Sequence, residues 1–121
     1  MRDDMVLMLD MLLAAQNIQQ FVAGMTEQEF YEHRMAQSAV IRELQVIGEA
    51  ARLVSEDART RYPSIEWRQI AGMRNRIIHD YFDIRLKVVW DAIQDDILVL
   101  VAQLVAIVPP DDEADEDSDA P

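Results

Sequence analysis

The sequence predicts an all-α protein: an up-and-down bundle of about four main helices, with shorter helices between them. Three observations carry this expectation. Apolar residues recur at spacings of three and four through several long stretches, the period of a helix with one buried face. Only three glycines and four prolines occur, and no run of alternating segments separated by turns, so an all-β fold is disfavoured. With 121 residues, half of them hydrophobic, the chain can bury one core but hardly two. The expected organisation is one helical domain over residues 1–108 and an acidic tail over 109–121.

The first helix begins near Asp3 or Asp4, whose carboxylates suit a helix N-terminus, and stops at Gly24. Its polar positions Asp3, Asp10 and Asn17 form one narrow line, and nearly everything from Met5 to Ala15 besides is apolar. So wide a stripe exceeds what one neighbouring helix covers, which predicts burial against a second subunit. The alternative is a helix central to its own bundle.

Thr26 and Glu29 have capping-box spacing and open a short helix through Glu32 and His33. His33 is read as a surface residue. A long helix follows, with Ile41, Leu44, Ile47, Ala51 and Val54 on its apolar face. Gly48 in its middle costs about 1 kcal/mol relative to alanine. It therefore marks a point where another helix crosses closely, with Glu49 beside it facing whatever crosses. Ser55 caps a further short turn that Tyr62-Pro63 ends. Ser64 is expected to cap the next helix, and the last helix buries Leu86, Val89, Ile93, Ile97, Leu100 and Leu104. Pro109-Pro110 ends it, and the following segment has no apolar content to offset the entropy of ordering.

No cysteine is present, which removes disulfides, thiol nucleophiles and cysteine-rich zinc sites together. Two histidines far apart make a histidine metal cage unexpected, so no metal and no cofactor is assigned. The apolar run after Met5 is broken by Asp10, and the one from Ile97 to Val108 is too short to cross a bilayer. The reading is a soluble, cytoplasmic protein with no membrane partner.

Net charge is −12, but it is unevenly placed. Residues 111–119 alone carry seven acids, whereas Arg59 to Lys87 holds seven basic residues against three acidic ones. Such a segment can hold a polyanion, with affinity that falls steeply with salt. Arg68, Arg76, Arg85 and Lys87 are the candidate nucleic-acid contacts.

The segment W-R-Q-I-A-G-M-R-N-R-I-I-H-D-Y-F, Trp67 to Phe82, concentrates the chemistry. Read as one helix at about 100° per residue, it places Arg74 and Tyr81 along one edge and stacks Asn75 and His79 on the adjoining edge. Arg76 and Asp80 then fall on the far side as a solvated ion pair. A permanent cation, a group that titrates near neutral pH and a phenol suit phosphate chemistry. Glu49 has two readings, orienting Arg74 or pairing with Arg52 three residues on.

The run Arg74-Asn75-Arg76-Ile77-Ile78-His79-Asp80-Tyr81 resembles the motif of the HepT-like ribonuclease toxins of the HEPN superfamily: arginine, a polar residue, then histidine, any residue, tyrosine. The likeness extends through I-G-E-A-A at Ile47 to Ala51, Y-P-S-I-E-W-R-Q-I-A-G-M at Tyr62 to Met73, and Val89-Trp90. It covers nearly the whole chain except the acidic tail. The resemblance implies a HEPN-like homodimer with the two motif helices meeting at the two-fold axis, acting as a metal-independent endoribonuclease on RNA. It also implies a cognate minimal nucleotidyltransferase antitoxin that silences the toxin by moving AMP from ATP to the motif tyrosine. Carried over, Arg74 and His79 are catalytic, Asn75 supports them and Tyr81 is modified. A competing reading, from a different class, is a non-catalytic helical module that presents substrate or nucleotide to a partner nucleotidyltransferase.

Overall fold

Asp3 starts the first helix: its carboxylate accepts the Met5 backbone N–H at 2.9 Å and satisfies one of the donors a helix start leaves open. In this computed structural model, residues 3–80 and 83–109 are described, with the backbone alone at 74, 78–80 and 83–84. Helix α1 (Asp4–Phe21) leaves through Gly24 at φ +78°, a left-handed backbone that glycine adopts without steric cost.

Thr26 and Glu29 form the expected capping box, the hydroxyl taking the Glu29 N–H at 3.1 Å and the carboxylate taking the Thr26 N–H at 2.9 Å. They open α2 (Glu27–Tyr31). His33 is exposed, as expected, and its Nδ1 accepts the Ala36 N–H at 3.1 Å and caps α3 (Arg34–Leu53). Ser55 caps α4 (Glu56–Arg61) through the Ala58 N–H at 3.2 Å. Arg59 turns back from α4 and donates to the carbonyls of Ala51 at 3.2 Å and Arg52 at 2.8 Å, acceptors that the end of α3 leaves open.

Gly48 is a crossing point, as its place in mid-helix predicts. A β-carbon there would lie 3.4 Å from the Ile70 carbonyl oxygen and 3.6 Å from that of Ala71, so the end of α5 (Trp67–Ala71) runs over α3 at this residue. Ser64 does not cap α5; Glu66 holds that position without a side-chain bond. The Ser64 carbonyl instead accepts Gln103 Nε2 at 2.8 Å, tying the α4–α5 connection to the last helix. After Gly72 the chain re-enters helix as α6 (Met73–Ile77), then pairs β1 (Ile78–Asp80) antiparallel with β2 (Asp83–Ile84).

The last helical stretch runs as α7 (Leu86–Asp91), a π-helical segment (Ala92–Ile97) and α8 (Leu98–Ile107). Its expected buried face holds: Val89, Ile93, Ile97, Leu100 and Leu104 are all buried, and Leu86 is partly so. The wider π turn inserts itself into an otherwise regular three-to-four spacing, and such turns leave little trace in an apolar pattern.

Around the bundle, α1 packs on α3, α3 on α5 and α6, α6 on α7, and the π segment and α8 close back onto α1. The Phe30 and Trp90 rings, 5.5 Å apart, pin α2 over α7. The fold is all-α, and the five strand residues of the hairpin do not alter that. Helix α1 spends its wide apolar stripe on three neighbours, burying Leu7, Met8, Met11, Leu12, Ala14, Ala15 and Ile18 against α3, the π segment and α8. The structure thus gives it the central place within its own bundle, and leaves Val6, Leu13 and Phe21 about two-fifths exposed. Among the described residues, no helix is long and apolar enough to cross a membrane.

Candidate functional site

The motif's placement follows from how α6 packs. Met73 and Ile77, four apart, bury toward the core, and this turns Asn75 and Arg76 outward to different sides. Asn75 lines a polar groove of about 260 Å³ with Gln45, Gly48, Glu49, Arg52 and Ala71. The missing side chain at Gly48 lets the two backbones approach, and it is this approach that sets Asn75 beside Glu49.

Arg76 faces a second groove, of about 260 Å³, between α5–α6 and the π segment. There it pairs with Asp96 at 3.3 Å, both side chains nearly half exposed. The expected partner, Asp80, would need a helix running on for another turn. The helix ends at Ile77, so Asp80 lies on β1 and is not one helical turn from Arg76.

That ending corrects the one-helix reading of the motif. Arg74 and Asn75 lie on α6, His79 is the middle residue of β1, and Tyr81 lies outside the described residues. Two features of the sequence work against a continuous helix. Gly72 divides the stretch into pieces too short to be stable alone, and Ile77-Ile78 are β-branched residues that favour extended backbone.

Of the two readings of Glu49, the pair with Arg52 is formed, while the side chain of Arg74 lies outside the described atoms. The Glu49 carboxylate accepts Arg52 Nη2 at 2.7 Å and Nε at 3.4 Å, with both side chains about three-fifths exposed. The hydrogen bond from Arg52, and then its charge, hold the Glu49 carboxyl below its ordinary value and raise the Arg52 guanidinium in turn. Arg52 thus lines the groove that holds Asn75. In the sequence Arg52 reads only as a partner for Glu49. The available signal was its spacing, since Arg42, Gln45, Glu49 and Arg52 fall within an arc of about 80° on α3.

The remaining candidates are dispersed. Arg68 is exposed on α5 and Arg85 stands at the N-cap position of α7. Lys87 is drawn to Asp91 at 3.1 Å and Glu27 at 3.4 Å, and these carboxylates raise its pKa, Asp91 more than Glu27. The acidic tail from 110 onward lies outside the described residues.

A family model described as ribonuclease HepT-like matches residues 11–107, which contain α3, α5, α6 and the whole motif. The chain is 32% identical over 117 residues to a candidate RNase of Methanocaldococcus jannaschii, covering 97% of each chain. A second candidate RNase of that organism is 34% identical over 96 residues, 79% of this chain and 88% of the relative. A protein of Thermococcus cleftensis named probable ribonuclease HepT is 35% identical over 88 residues, 73% and 80% of the two chains. No solved structure matches the chain.

Proposed function

The chain belongs to the HepT-like ribonuclease family, and from that membership we propose that it is a metal-independent endoribonuclease, the toxin of a two-gene toxin–antitoxin pair. The observation that carries this reading is the family match over residues 11–107 with Arg74-Asn75 and His79-Asp80-Tyr81 intact inside it.

RNA brings its own nucleophile. A base removes the proton of a 2′-hydroxyl, that oxygen attacks the adjacent phosphorus, and the 5′-oxygen leaves with a proton from an acid. The products are a 2′,3′-cyclic phosphate and a free 5′-hydroxyl. The imidazole of His79 is suited to either proton transfer at neutral pH, and a homodimer, with its motifs meeting at the two-fold axis, supplies two copies. Arg74 offers a permanent charge with a planar fork that matches phosphate oxygens. Asn75 and Glu49 support them, and Arg68, Arg76, Arg85 and Lys87 give the wider surface its attraction for RNA.

The partner is a cognate minimal nucleotidyltransferase that transfers AMP from ATP to the Tyr81 phenol, releasing pyrophosphate. The added phosphate then competes for Arg74. Residues 1–108 form the working unit in the cytoplasm, and 109–121 remain a solvated acidic extension.

The test is cleavage of RNA by the pure protein in EDTA, with the product ends identified. Cyclic phosphate ends are expected, and His79→Ala should lower the rate about 10²- to 10⁴-fold while leaving the fold unchanged. A strict metal requirement would overturn the mechanism. Growth arrest on expression, relieved by His79→Ala, separates this reading from the non-catalytic module, which has no need of a titrating group beside an arginine.

A further inference from the structure

The exposed face of α3 is a polar surface continuous with the groove that holds Asn75, since Gln45 and Glu49 line both that groove and the next. Arg52 lies on its α6 side, Gln45 and Glu49 form its ridge, and Arg42 stands on its α1 side. From Arg42 to Arg52 the face spans about 15 Å along the helix. On the α1 side the ridge drops into a groove of about 410 Å³ whose wall includes Leu53, just over half exposed.

We propose that the RNA strand crosses α3 on its way to the motif, with Arg52 and Arg42 each gripping a backbone phosphate and the Leu53 groove receiving the face of a base. The proposal rests on the ribonuclease reading and adds to it a binding surface outside the motif.

Charge and exposure both support it. The Glu49–Arg52 pair is solvent-facing, and a pair of that kind contributes little by itself, so a phosphate can take the guanidinium over at small cost. Glu49 meanwhile ties Arg52 to the edge of the ridge through the 2.7 Å contact. Gln45 presents an amide, able to donate and accept, toward base edges. Asp10 of α1 also lines the Leu53 groove. Its carboxylate opposes a phosphate there but suits a base amino group, which favours a base over backbone in that position.

The experiment measures affinity for a labelled single-stranded RNA by the His79→Ala protein over a range of salt, and steady-state cleavage by the His79 protein. Arg52→Ala and Arg42→Ala should each weaken binding about tenfold and reduce the salt slope by about 0.7. Cleavage should show KM raised and kcat nearly unchanged. Arg52→Lys should restore most of the salt slope, and Arg34→Ala, at the far end of α3, should change neither quantity. If the parent protein cuts RNA and both arginine variants bind like the Arg34 control, the crossing is wrong and the ribonuclease reading survives. A kcat loss without a KM change, or loss of nucleotidyltransferase binding with RNA affinity intact, would also overturn it. If the parent protein neither binds nor cuts RNA, both readings fall together.

Discussion

The Asp4 carboxylate accepts both the backbone N–H of Ser55, at 2.8 Å, and its hydroxyl, at 2.6 Å. Two oxygens at the start of α1 thus hold the junction between α3 and α4, while Ser55 Oγ also caps α4. These bonds lower the Asp4 pKa below its ordinary 3.8, the side-chain bond contributing most. A carboxylate whose folded pKa is depressed adds stability above its unfolded pKa and loses it as pH falls through the folded one. The wild type should therefore be more stable than Asp4→Asn above about pH 5, by an increment that shrinks as pH falls below 3.8. Urea unfolding from pH 2.5 to 7 measures this, and an increment independent of pH would contradict it.

Arg59 caps α3 from outside that helix. Arg59→Ala leaves the Ala51 and Arg52 carbonyls without that donor and should cost about 1–2 kcal/mol. Arg59→Lys should cost less, because it also removes the buried Nε, which has no hydrogen-bond partner among the described residues. Denaturant midpoints of the two variants test the order.

Gly48 tolerates one added carbon and no more. A β-carbon 3.4 Å from the Ile70 carbonyl oxygen is an ordinary contact, so Gly48→Ala should be neutral or stabilising by up to about 1 kcal/mol. Gly48→Leu must displace α5 and should destabilise by about 1–3 kcal/mol or more. Melting temperatures of both variants distinguish a close crossing from a loose one.

His33 is a replaceable cap. Asparagine is a stronger N-cap than most residues, so His33→Asn should match or exceed the wild type, while His33→Ala should lose about 1 kcal/mol. Equal stability of the two variants would show that the 3.1 Å bond contributes nothing.

Tyr81→Phe removes the oxygen that would accept AMP and keeps the ring. The variant should cleave RNA at nearly the parent rate and remain toxic when the nucleotidyltransferase is co-expressed. Unimpaired neutralisation by the partner would end the modification hypothesis.

Caps and apolar spacing made most of the fold legible. Thr26 with Glu29, Ser55 and Asp3 each announce a helix start through a local bond to a backbone N–H two or three residues on. Gly48 signalled its crossing because a glycine in mid-helix needs a reason. What escaped were features set by neighbours. Ser64 has capping chemistry, but its segment is held by Gln103, some forty positions away in the chain. Arg76 pairs with Asp96 across the bundle, and the helical turn that would align it with Asp80 is absent because the backbone is extended from Ile78. At the site, Asn75 beside Glu49 followed from the crossing, whereas the change from helix to strand before His79 competes with helical spacing that the residue types equally allow.

The switch to extended backbone at Ile78 alters which chain-length changes the motif can absorb. On a helix, two residues added ahead of the imidazole would swing it by about 200° from the guanidinium. On a pleat, whose sides alternate with every residue, two additions restore the original side and a single one reverses it. Odd and even insertions at this joint should thus have opposite fates.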